Sequence, residues 1–398
     1  MDLKKDFPIF DKHTGLVYLD NASTTHKPQF VVDGVSSFVS ENYANIHRWQ
    51  YDLSAQAEEV YMQSKKMAAK LIGCDMTEIV YHYNATACSN LIAQAICYSG
   101  KVGKNDTVVL WLRDHHATIV VRQQLQKIFG FTIRYIPLLD NDYRVDWDGL
   151  AAMIDPSVKV VACSHVSNVT GAIYDMQKIR TLIGPDTFFI VDGSQSVPHF
   201  AVDVVALGCD CFFWTPHKMM AYTGIGAMYL SRKYRDTLDP LCVWWWAIDD
   251  VTVEWCTLAS WLSKWEAGTP NIIGAASLLA SLQYRDWIGG YATLHRQEQK
   301  LLYKIADYIW LLPDGVRLVW PTVDQERIGI FSFALEENSL DVVDRLAGNN
   351  ICVRSGGHCA HPLIHHFQWK QLLRVSTYLY NTVDDIDQFF AYFLWKKG

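Results

Sequence analysis

Five short stretches carry residue types able to do chemistry. Thr215-Pro216-His217-Lys218 follows an apolar run at 211–215. A lysine at a strand end is partly desolvated, which lowers its pKa and makes its amine a competent Schiff-base nucleophile. The plainer reading is a solvated surface lysine. Asp192 closes another apolar run, 187–192. A carboxylate there could pair with a pyridinium nitrogen and keep such a ring an electron sink. Asp192-Gly193-Ser194 reads equally well as a helix N-cap. Asp114-His115-His116 follows the run 108–112. An imidazole there could stack on a flat ring and shuttle protons near neutral pH. A polar loop or a metal site are the alternatives, though adjacent histidines rarely face one ligand together. In the segment 165–171, Asn168 could hydrogen-bond a ring hydroxyl or close an Asx-turn. Last comes Arg354-Ser355-Gly356-Gly357-His358-Cys359. Its paired glycines predict a mobile loop, and a cysteine there beside a histidine can be exposed with a lowered thiol pKa. An inert cysteine, or a zinc site from His358, Cys359, His361 and His365, are the alternatives. Arg354 and Arg374 are candidate carboxylate clamps, because guanidinium binds carboxylate through two parallel hydrogen bonds.

The elements that must position these residues alternate between short apolar runs and amphipathic stretches, the α/β pattern. Strands are predicted at 108–112, 132–136, 158–164, 187–192, 211–215 and 225–230, and helices at 56–72, 117–129, 176–183 and 294–311. Buried strands separated by helices predict a mostly parallel sheet covered on both faces. Ligands in such sheets bind at the carboxyl ends of strands, where the candidate residues fall. Beyond Pro270 the texture changes to a smaller α+β unit. The expected division is a large domain, 1–275, with an N-terminal arm, and a small domain, 276–398, carrying the cysteine loop.

Composition narrows the classes. Half of the 398 residues are apolar, 19% are charged, the net charge is −7 and there are ten cysteines. No basic face for nucleic acid is expected. The start has no signal-peptide pattern, and no apolar run approaches the ~18 residues of a membrane span. Scattered cysteines without a CxxC pair suit reduced thiols in a cytoplasm. The fifteen tryptophans read as core or interface aromatics.

Taken in order, several runs resemble one family. They are YLDNASTT at 18–25, HVSNVTG at 165–171, VDGSQSV at 191–197, HK at 217–218, TGIG at 223–226, EAGTPN at 266–271 and RSGGHCAHPL at 354–363. Together they are similar to class V aminotransferase-fold proteins, and among these to the SufS-like (group II) branch of the cysteine desulfurase and selenocysteine lyase group. The likeness spans nearly the whole chain. It implies the fold-type I, aspartate aminotransferase-like architecture, a homodimer and pyridoxal 5'-phosphate (PLP) as cofactor. By that resemblance Lys218 would hold PLP as an imine. Asp192 would pair with the ring nitrogen, Gln195 would bond the ring oxygen with Asn168 nearby, and His116 would stack on the ring. Thr86, Thr215 and His217 would hold the phosphate, with Thr269 of the partner subunit. Arg374 would bind the substrate carboxylate, helped by Asn168, with Arg354 near the thiol. His47 and Arg48 stand where the family has a His-Arg pair.

The implied reaction converts L-cysteine to L-alanine and leaves a persulfide on Cys359 for an acceptor. Iron–sulfur clusters, tRNA thiolation and a specialised metabolite are all open as destinations. Another PLP reaction (a selenocysteine lyase, β-lyase or transaminase) and a degenerate sulfur-trafficking scaffold are the competing readings.

Departures from the family pattern are specific. The phosphate-side GTTE reads Asn84-Ala85-Thr86-Ala87, losing the acid. SGHK followed by GPTG reads TPHK and AYTG, and Pro216 lacks an N–H for phosphate. Trp244-Trp245-Trp246 replaces a glycine-rich turn, which is expected to reshape substrate access or contact a specialised acceptor. Gly357 stands where histidine or glutamine is frequent.

Overall fold

A computed structural model of the chain describes residues 3–47, 51–139, 144–243, 247–259, 262–319 and 326–394. Arg48 and Trp244–Trp246 lie outside the described residues. Strand β1 (Val17–Tyr18) belongs to the N-terminal arm. Among the described residues, seven strands form the central sheet: β2 (Ile79–His82), β3 (Thr107–Trp111), β4 (Thr132–Ile136), β5 (Val158–Ser164), β6 (Phe188–Asp192), β7 (Cys211–Trp214) and β8 (Gly226–Leu230), in the order β2-β8-β7-β6-β5-β3-β4. The β3–β4, β3–β5, β5–β6 and β6–β7 pairs are parallel. β8 runs against both its neighbours, β7 and β2. Parallel neighbours need a long crossover; here β7 returns through a short loop, and that loop holds Lys218.

The strands read as continuous apolar runs because both faces are covered. Val109, Val161, Phe189 and Phe212 pack on one side, and Val108, Val160, Phe188 and Phe213 on the other. This is the period-two alternation of a strand buried twice over. The sequence-predicted strands match within a residue at each end. β2 was not foreseen, since four residues carry little periodicity.

The hairpin β9 (Ile248–Val251) and β10 (Cys256–Leu258) follows. The small domain is an antiparallel sheet, β11 (Val316–Leu318), β12 (Ile330–Leu335), β14 (Arg354–Gly356) and β15 (Leu372–Ser376), ordered β11-β12-β15-β14. Helices Gly290–Ile309, Ser339–Ala347 and Val383–Phe393 build its core. β13 (Ile351–Cys352) pairs in parallel with β1, so Val17 and Leu19 of the arm enter that same core.

The division expected at 275 falls inside the helix Ile272–Trp287, which packs on helices Gln29–Ser37 and Asp52–Ile72 of the large domain. The reason is burial: Ala275, Leu278 and Leu282 belong to the large domain's core. Gly289 and Gly290, both at positive φ, turn the chain from this helix into the next. Among the described residues no helix is long and apolar enough to cross a membrane, and all ten cysteines are free.

Candidate active site

The carboxyl ends of the parallel strands open on a cavity of about 210 Å³. Asp192 ends β6, Ser164 ends β5, Thr215 follows β7 and His115 follows β3, and all four line it. The arm contributes Ala22 and Ser23, and the small domain contributes Arg354, His358, Cys359 and Arg374.

Lys218 stands in the one-turn helix Pro216–Met219, which begins directly after β7. Pro216 occupies its first position, where the missing N–H has no helical partner to lose. Lys218 is half-buried and lines the cavity. Burial pushes its pKa down to about 8, against the opposing pull of Asp192 and with help from Arg374 and Arg354. Such an amine is uncharged in a useful fraction near neutral pH. Asp192 is buried, and its Oδ1 accepts the backbone N–H of Ser194 at 2.8 Å. Burial raises its pKa, while the bonds from Ser194 and the charges of Lys218 and Arg122 oppose that rise. Asp192 thus makes the turn bond foreseen for it and also faces the cavity.

Of the two adjacent histidines, His115 lines the cavity and His116 does not, which corrects the expectation placed on His116. His115 is the N-cap of helix His116–Phe129, its Nδ1 accepting the N–H of Ala117 at 3.1 Å. Its extended backbone leaves the ring at the strand ends. Burial first, then the positive charge of Lys218, pushes its pKa down to about 3, so the ring is neutral. His116, the first helical residue, serves the cysteine segment instead. Its backbone N–H donates to the Cys359 carbonyl at 2.8 Å, and its Nε2 accepts the N–H of His361 at 3.0 Å.

The cysteine follows β14 in a tight turn. Gly356 has φ +113, a conformation open only to glycine. His358 and Cys359 are both left-handed, at φ +47 and +57. Non-glycine residues there are held by their surroundings. Asn168 Nδ2 donates to the His358 carbonyl at 2.7 Å. A β-carbon on Gly357 would lie 2.4 Å from Cδ2 of His361, so the ring of His361 fills the space a larger residue would need. His358 is buried, and burial drives its pKa well below the usual histidine value. His358 therefore stands beside Cys359 as a neutral ring. Cys359 lines the same cavity as Lys218 and Arg374. Among the described residues no group of three histidine, cysteine or acidic side chains is placed to hold a metal.

Thr86, Asn168, Gln195, Thr215 and His217 also line the cavity. Gln195 Nε2 donates to the Ala22 carbonyl at 2.9 Å, and His217 Nδ1 meets Thr24 Oγ1 at 3.0 Å. Besides His116, two expected residues do not line it. His47 is tied to Glu58 through its backbone N–H at 2.7 Å. Thr269 lines a separate depression with Tyr81 and Glu266. Sequence reasoning missed Asp20, Ser23, Ser194 and Asp114 as contributors. Asp114 is buried and accepts the backbone N–H groups of Ser164 and Trp111 at 2.8 and 3.2 Å, tying β5 to β3, and burial pushes its pKa up to about 7. Asp20 and Ser23 stood inside a quoted motif, but nothing in their spacing pointed to residues 350 positions away.

The cavity fits the cofactor that the resemblance implies. The hydroxyl of Thr215 is buried on its wall with no hydrogen-bond partner among the described residues. Asn84 caps helix Ala85–Tyr98 by accepting the N–H of Ala87 at 2.8 Å, and Asn84, Ala85 and Thr86 all face the cavity. A helix N-terminus attracts an anion such as phosphate. Helix start, free Thr215 hydroxyl, buried carboxylate and desolvated amine are the groups such a phosphorylated pyridine requires.

Comparison with known proteins agrees. The Aminotransferase class-V domain matches residues 17–389. The chain belongs to the class-V aminotransferase family. A probable cysteine desulfurase of Halalkalibacterium halodurans is 33% identical, over 97% of this chain and 95% of that protein. Among solved structures, the apo cysteine desulfurase of Thermococcus onnurineus superposes with a TM-score of 0.92 at 30% identity, over 98% of this chain and 96% of that one. The cysteine desulfurase CsdA of Escherichia coli, in an S-sulfonic acid form, gives 0.86 at 27% identity, over 97% and 95%. The fold is therefore the fold-type I aminotransferase architecture.

Proposed function

We propose that the chain is a PLP-dependent cysteine desulfurase that converts L-cysteine to L-alanine and carries the sulfur as a persulfide on Cys359. One observation carries the reading: Lys218 and Cys359, 141 positions apart in sequence, line a single cavity with buried Asp192 and Arg374. Relatives named cysteine desulfurase at this identity and coverage support it.

PLP bound there supplies an electron sink conjugated to the substrate's α-carbon. Asp192 would keep a proton on the ring nitrogen, and neutral His115 would offer its ring as a flat surface. Thr86, Thr215 and His217 would hold the phosphate at the helix start, and Gln195 and Asn168 would serve the ring oxygen. Arg374, with Arg354, binds the substrate carboxylate. The Lys218 Nζ accepts the α-proton; its lowered pKa suits that work near neutral pH. The Cys359 sulfur, as thiolate, attacks the substrate sulfur. The carbon–sulfur bond breaks, its electron pair stays on the substrate's β-carbon, that carbon takes a proton from solvent, and the Lys218 ammonium returns the α-proton to the α-carbon. Alanine leaves, and the second sulfur remains on Cys359 for a protein acceptor.

A homodimer, with Thr269 of the partner subunit reaching the phosphate, and a reducing cytoplasmic setting complete the proposal. His47 and Arg48 would take the substrate-binding role of the family's His-Arg pair. The test is the visible spectrum of purified protein with and without cysteine, together with alanine release. A wild-type protein that stays colourless with the vitamer, or a Cys359→Ala protein with full alanine output, sinks the reading.

A further inference from the structure

The Ser23 hydroxyl makes three hydrogen bonds at the edge of the cavity. It donates to Asp20 Oδ1 at 2.7 Å. It accepts from Arg354 Nη1 and from Arg374 Nη2, each at 2.8 Å. A hydroxyl has one proton and two lone pairs, so its capacity is filled and its orientation fixed.

The two arginines differ in how they are held. Arg374 is buried, and it also donates from Nη2 to Asp20 at 3.0 Å and from Nη1 to the Asn168 carbonyl at 3.0 Å. Its Nε is buried without a partner among the described residues. Arg354 is exposed, and its bond to Ser23 is the one side-chain hydrogen bond it makes among the described residues. Arg354 and Arg374 also face each other across β14 and β15, where like charges repel. A long side chain with such freedom leaves for solvent unless something holds it. Ser23 is what joins it to the buried partner.

We propose that Ser23 is a positioning residue for the substrate's carboxylate, holding the mobile guanidinium of Arg354 beside the fixed one of Arg374 so that the anion meets two cations. This rests on the catalytic reading above. The hydroxyl itself takes no part in bond breaking. Its removal weakens recognition of the carboxylate and leaves the amine and sulfur chemistry intact.

The test compares wild type, Ser23→Ala and Ser23→Thr, each loaded with PLP. L-cysteine is the carboxylate-bearing substrate, and cysteamine, the same aminothiol without the carboxylate, is the control. Steady-state alanine release gives KM and kcat for cysteine, and the visible absorbance change on titration gives the affinity for cysteamine. The loss of charge-assisted bonds is expected to raise the cysteine KM of Ser23→Ala roughly tenfold, with kcat within about twofold. Cysteamine affinity is expected to stay within about twofold, and Ser23→Thr to recover most of the cysteine loss. An unchanged cysteine KM, an equal loss for cysteamine, or a threonine variant as weak as alanine overturns the proposal. A wild-type protein that takes up no PLP and releases no alanine overturns the catalytic reading beneath it, and this role with it.

Discussion

Arg354 and Arg374 stand directly opposite one another on neighbouring antiparallel strands. That register sets two guanidinium groups side by side at the rim of a cavity. Repulsion between them disfavours the pairing. Asp20 offsets it in part, its Oδ1 lying 3.0 Å from Arg374 Nη2. A pair of cations assembled against its own repulsion marks a place prepared for an anion.

Replacing Arg374 by alanine removes the buried half of that pair. We expect kcat/KM for cysteine to fall by roughly 100-fold or more, with lysine restoring only part because it lacks the planar fork. Steady-state kinetics across the three proteins decides the matter. Equal kcat/KM in wild type and the alanine variant would remove Arg374 from substrate binding.

Lys218 sets a pH dependence for cofactor capture. Its amine has a pKa near 8, below the ordinary lysine value, chiefly through burial. Below that pH it is an ammonium and cannot attack an aldehyde; above it the free amine can. The rate at which colour develops in apo protein mixed with PLP should therefore rise through a midpoint near pH 8. A midpoint above pH ~10, the unperturbed lysine range, contradicts desolvation at this site. Lys218→Ala should develop no colour at any pH.

The two adjacent histidines separate by function. His115 lines the cavity, whereas His116 grips the backbone on either side of Ala360. Replacing His115 with alanine should shift the absorption maximum of the PLP-loaded protein. His116→Ala should leave that maximum in place and instead change the rate at which Cys359 is alkylated by iodoacetamide. Swapped results would return the ring-stacking role to His116.

Gly357 and His361 are coupled by volume. A side chain at 357 collides with the His361 ring, so Gly357→His should destabilise the fold by about 1–3 kcal/mol, the usual cost of overpacking. His361→Ala opens that space, and the double variant should recover most of the loss. Denaturant unfolding of the four proteins measures the coupling. Strict additivity would show that the two positions do not share space.

The strand ends were readable in advance because their signal is local. Apolar runs at 158–164 and 211–215 fix buried strands by their own composition, and a residue behind such a run must stand at the sheet's carboxyl edge. Lys218, Asp192 and Asn168 are found that way, and all line the cavity. Which of two neighbouring histidines turns inward was not readable, since it depends on where helix His116–Phe129 starts. A one-residue shift of that start exchanges their roles.

Alone, the sequence determined the order of strands and helices, the family and the residues able to act as amine, acid and thiol. Only the folded chain decided which of them meet. Ser23, Arg354 and Arg374 come from the arm and from two strands of the small domain, and their contact depends on β1 pairing with β13 and β14 with β15. Periodicity reports which face of an element is buried. It carries no information about what a distant segment will place against that face, because such contacts are selected by packing across the whole molecule.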